Sequence, residues 1–120
     1  MTSVRILIGS KKLKDFDKYH LFLLDNAVHF GMENFFIKKM KNKIEVRVAG
    51  VDEGIKRFYE SLMENTKKYG IDNIKQPEPY SGNIPTIDSY LHFVILVGAC
   101  KFNEALRGST GEIDRYLEDE

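Results

Sequence analysis

NFFIKKMKNKIEVRVAG, residues 34–50, has one simple local solution, a β-hairpin. The second arm alternates, with Ile44, Val46 and Val48 on one face and Glu45 and Arg47 on the other, the period-two pattern of a strand that buries one face. The first arm, Asn34 to Met40, is rich in the aromatic and β-branched residues that suit a pleated surface. Lys41 and Asn42 supply the turn, because asparagine tolerates a left-handed backbone. Alternation sends one of Phe35 and Phe36 into the core and the other to the opposite face.

Toward the N-terminus, Tyr19, Phe22, Leu23, Ala27 and Phe30 recur at three- and four-residue spacing and predict a helix. Asp15 or Asp17 is its expected N-cap and Gly31 its C′ glycine. Before it, Val4, Ile6 and Ile8 share one face of a first strand. Toward the C-terminus, Asp52 is the expected cap of a second helix, whose stripe of Ile55, Phe58, Tyr59, Leu62, Met63 and Thr66 predicts that it runs to Gly70. Residues Ile71 to Pro79 are expected to form a short fourth strand at a sheet edge, since Pro77 and Pro79 lack ladder donors. The order βαββαβ, with right-handed crossovers, predicts an α+β ferredoxin-like sandwich: four antiparallel strands with both helices on one face.

That domain spans residues 1–80, and residues 81–120 are expected to be an extension packed on it. The apolar segment Ile87 to Leu106 predicts a helix beginning near Thr86 or Asp88 and stopping at Gly108, with a strand at Leu91 to Val97 as the competitor. Its apolar surface needs a cover, either the open face of the sheet or a second copy of the chain, so a homo-oligomer formed through residues 87–106 is one expected partner arrangement. Residues Glu112 to Glu120 predict a short final helix.

At 120 residues the chain has room for one domain, and 42% apolar with 30% charged residues is a globular rather than a disordered composition. Cys100 is the single cysteine and cannot form an internal disulfide, which fits a reducing, cytoplasmic setting. Residues 1–9 lack a signal-peptide pattern and the run Phe93 to Cys100 is too short to span a bilayer, so no membrane association is expected. A net charge of zero gives nucleic acid no general attraction. Charge is nevertheless uneven: residues 1–50 hold ten Lys and Arg against five Asp and Glu, whereas the remainder hold eight against thirteen. A small anionic ligand on the basic half is therefore an expectation to test.

Ala27, Phe30-Gly31-Met32, Ile44-Glu45-Val46, Gly50, Phe58 and Leu62 together resemble the acylphosphatase pattern, and the spacing from Gly31 to Val46 matches it without a gap. The similarity covers residues 4–65 and its positions are structural, so it implies the fold and not the activity. Acylphosphatase chemistry uses a glycine-rich loop with an arginine at the start of the first helix and an asparagine on the second strand. The resemblance sets Asp15-Phe16-Asp17-Lys18-Tyr19-His20 against that loop, His20 against the arginine and Lys38 against the asparagine. The glycines are absent, and the carboxylates of Asp15 and Asp17 oppose a phosphate. A neutral imidazole also lacks the bidentate, permanently charged grip of a guanidinium.

Ordinary acylphosphatase activity is therefore not expected, and the leading reading is a binding or assembly module. Two alternatives follow from the same residues. One is a hydrolase of acyl phosphates or related phosphorylated metabolites, with His20 and Lys38 as catalytic groups and Lys11, Lys12, Lys14 and Lys18 rebuilding an anion site. The other is an RNA-binding module using the lysine-rich half and the aromatic pair Phe35 and Phe36. No cofactor or metal is expected, since His20 and His29 lack metal-ligand spacing and His92 reads as a core histidine.

Overall fold

The hairpin forms as the alternation dictates: β2 (Asn34–Met40) and β3 (Lys43–Gly50) pair antiparallel from Asn34↔Ala49 to Met40↔Lys43. Asn42 takes φ 60° in the turn. The structure is a computed structural model and describes residues 1–13 and 15–98. Strand β1 (Thr2–Gly9) lies antiparallel on the other side of β3, from Thr2↔Gly50 to Gly9↔Lys43. Helices α1 (Phe16–His29) and α2 (Asp52–Glu64) cover one face, and their residues Tyr19, Leu23, Ala27, Phe58 and Leu62 share a single core with Val4, Ile6, Ile8, Phe35, Val46 and Val48. Asp15 caps α1 and Gly31, at φ 75°, follows its end, as a residue without a Cβ can do at low cost.

A short helix α3 (Thr66–Tyr69) follows, then the fourth strand of the expected order, split into β4 (Asn73–Ile74) and β5 (Glu78–Pro79), both antiparallel to β1. Three residues separate Ile74 from Glu78, while only two separate their partners Ile8 and Arg5. One extra residue is thus bulged out beside Pro77, at the sheet edge where a missing donor is tolerated. The strand order is β2-β3-β1-β4, and the architecture is the α+β ferredoxin-like sandwich.

Two boundaries differ from expectation. The second helix does not run to Gly70: Asn65 leaves the helical region at φ −114°, ψ 18°, and its Nδ2 donates to the Ser61 carbonyl at 2.8 Å. The amide side chain competes for backbone groups and breaks the helix there, so α3 is a separate turn. Nor does Asp52 cap α2. Val51 holds the extended cap position, and the Asp52 carboxylate, already inside the first turn, accepts from the Thr2 hydroxyl.

The second face of the sheet is not bare, and Glu45 is only 6% exposed on it. Arg47 Nε donates to Glu45 at 2.6 Å, Arg5 approaches both Glu45 and Glu78, and the Arg47 guanidinium lies 4.9 Å from the ring centres of Phe36 and Tyr80. The segment after β5 makes this cover. Tyr80 N–H donates to Ser3 O, Asn34 Nδ2 to Ile84 O, and Phe35 N–H to Pro85 O, so the chain passes along the row Ser3, Ala49, Asn34 from β1 to the β2 edge. There Thr86 caps α4 (Ile87–Gly98), accepting from Ser89 N–H at 3.1 Å. Residues 87–98 are therefore helix and not the competing strand; residues 99–106, with Cys100, and the predicted final helix 112–120 lie outside the described residues.

Candidate functional site

At the start of α1 the chain turns on Asp15, which is extended at φ −156°, ψ 105°; its Oδ1 accepts from Lys18 N–H at 3.2 Å. The positive end of the helix, where an anion would be attracted, therefore already carries a carboxylate of the chain itself. One turn later His20 is 0% exposed. Its ring is stacked 6.1 Å from Phe16, tilted against Phe35, and bonded through Nε2 to the hydroxyl of Tyr90 on α4 at 2.8 Å. Burial disfavours the imidazolium and lowers its pKa from 6.5 to about 3; the same burial pushes the Tyr90 hydroxyl up.

Acid stability depends on this shift. The unfolded chain protonates His20 near pH 6.5, while the folded protein keeps it neutral down to about pH 3. Between those values the unfolded state holds the extra proton, so stability falls by about 1.4 kcal/mol per pH unit as the pH drops. His20→Gln is expected to flatten that slope in urea-unfolding midpoints. Parallel profiles for the two proteins would mean that His20 titrates normally in the fold.

Lys38 is elsewhere. Alternation along β2 and its pairing with Glu45 turn it to the second face, so the sheet separates it from His20, which packs on Phe35. The lysine that β2 does present toward the start of α1 is Lys39, whose Nζ stands 4.6 Å from the centre of the Phe16 ring. The same period-two pattern that identifies the strand points to it. Lys12 and Lys18 are exposed, and Lys14 lies outside the described residues. The backbone N–H of Lys11 donates to Asp72 at 2.8 Å, and Lys11 borders two neighbouring cavities. The smaller, about 220 Å³, lies between the β1–α1 loop and the hairpin turn and is lined by residues including Leu13, Phe16, Lys39 and Met40. The larger, about 580 Å³, has Lys41, Lys43 and Lys75 in its wall. Neither has His20, Lys38, Lys12 or Lys18 among its described lining residues.

The crystal structure of acylphosphatase from Bacillus subtilis matches this arrangement over 72% of the present chain and 94% of its own, with a TM-score of 0.57 and 11% sequence identity. The fold is that of an acylphosphatase. No family model and no curated protein matches the sequence, so the likeness is one of architecture. On this acylphosphatase-like fold the segment Asp15 to His20 is not a glycine-rich loop but a cap followed by the first turn of a helix, with Phe16, Tyr19 and His20 buried. Burial also removes the aromatic platform: Phe35 and Phe36 are both 0% exposed, Phe36 lying beneath Arg47 and close to Tyr90, and offer no free ring face to a base. His92, expected in the core, is exposed; Tyr90, two residues earlier, takes the inward position. Among the described residues no group of His, Cys, Asp and Glu side chains could hold a metal ion, and no helix is long and apolar enough to cross a membrane.

Proposed function

We propose that this chain is a non-catalytic binding or assembly module carried on an acylphosphatase-like fold. The observation that carries the reading is the position of His20: fully buried, neutral at ordinary pH and bonded to Tyr90. Cleaving an acyl phosphate demands donors aimed at the charge that grows on the phosphoryl oxygens, and losing one such donor costs roughly 100- to 1000-fold in rate. A sealed neutral imidazole reaches no substrate oxygen, and the adjacent helix terminus is occupied by Asp15. The separation of Lys38 from His20 by the sheet weighs against the hydrolase reading further.

Benzoyl phosphate hydrolysis tests this directly. The expected result is a rate indistinguishable from buffer, unchanged by His20→Gln or Lys38→Ala. Saturable turnover that falls in either variant would establish a hydrolase with a rearranged site.

A further inference from the structure

The larger cavity borders the second face of the sheet and shares Ser10, Lys11, Asn42 and Lys43 with the smaller one. Leu7 and Gly9 of β1, paired with Glu45 and Lys43, form part of its floor, and the hairpin turn at Lys41 and Asn42 and the segment Asp72 to Lys75 form walls. The Asn73 amide lies close over Gly9: a Cβ there would stand 2.5 Å from Asn73 Oδ1. Charge in the lining is one-sided. Among its described lining residues, Lys11, Lys41, Lys43 and Lys75 stand with one carboxylate, that of Asp72, whose Oδ2 already accepts from Lys11 N–H. Among the described residues Lys41, Lys43 and Lys75 form no ion pair. The Ser10 hydroxyl is turned away, donating to Gly70 O at 2.9 Å, which leaves the ammonium groups and the amides of Asn42 and Asn73 as donors.

We propose that this cavity binds a small organic phosphate. Several compact ammonium charges around one concavity suit a ligand with two or more negative charges. The volume, about 580 Å³, falls within the range of small-molecule sites and exceeds what a bare phosphate fills. Partly exposed Leu7 offers apolar surface to the remainder of the ligand. The inference rests on the binding-module reading and supplies it with a ligand class.

Titration calorimetry of the full chain at low ionic strength, with ADP and with pyrophosphate as probes, tests it. ADP is expected to bind one to one with a sub-millimolar Kd, shifting the Gly9 amide and Asn73 side-chain amide resonances. Lys43→Gln with Lys75→Gln is expected to weaken binding at least tenfold, which is about 1.4 kcal/mol. Lys56→Gln with Lys67→Gln, exposed lysines outside the cavity lining, should leave it unchanged. No saturation by either probe at about 5 mM, or equal losses in the two double variants, would overturn the proposal. Binding accompanied by phosphate release would uphold the cavity and overturn the non-catalytic reading; absence of both would do the reverse.

Discussion

Replacing His20 by arginine, the residue that the acylphosphatase pattern has at this position, is expected to destabilise the protein by about 4 kcal/mol or more and to confer no hydrolysis of benzoyl phosphate. The rings of Phe16, Phe35 and Tyr90 pack around the imidazole. A guanidinium cannot shed its proton to escape the low dielectric, so it must enter the core as a charge among aromatic rings or force the turn out of it. His20→Gln serves as the comparison, because an uncharged amide can keep a hydrogen bond to Tyr90 and should cost far less. Urea unfolding of both variants reads the difference. An arginine variant within about 1 kcal/mol of the wild type, turning over substrate, would show that the position opens to solvent and accepts a phosphate.

The second large effect is expected at Tyr90. Tyr90→Ala should cost about 3–5 kcal/mol, the range for removing a buried aromatic side chain. The ring is 2% exposed and meets Phe35 edge-on at 5.1 Å, with Phe36 and His20 at 6.3 and 5.8 Å. Its loss leaves a cavity at the junction of α1, β2 and α4 and removes the hydroxyl that His20 Nε2 contacts. Tyr90→Phe keeps the packing and should cost only about 1–2 kcal/mol. If α4 merely rested on a domain complete without it, the alanine variant would unfold within about 0.5 kcal/mol of the wild type, and equality of that kind would refute a core role for the C-terminal segment.

What the sequence discloses about this fold is chiefly local. The alternation of β3, the αL-tolerant Asn42, the Asp15 cap and the C′ glycine Gly31 each specify their structure within a few residues, and all four are found. Pro77 and Pro79 likewise mark an edge strand from their chemistry alone. The break in the second helix escapes notice because the apolar stripe continues through Thr66, while the deciding event is one hydrogen bond from Asn65 to Ser61. Candidate site residues are harder, since their meaning depends on distant partners. His20 and Tyr90 are 70 positions apart, and no periodicity links them. The resemblance points to Lys38, whereas strand alternation alone selects Lys39 for the helix side. Lys41, Lys43 and Lys75 read singly as solvated turn and edge residues; only the folding of β4 beside β1 brings them around one cavity.

Everything proposed for the helix start turns on His20 belonging to the core and not to a solvent-facing site. Its imidazole resonances, followed by NMR from neutral to acid pH with and without inorganic phosphate, report this without relying on any mutation. The expected result is a neutral ring down to about pH 4, consistent with a pKa lowered to about 3, and no response to phosphate. Titration near the ordinary value of 6.5, moved upward by phosphate, would contradict it and restore His20 as a phosphate-binding residue.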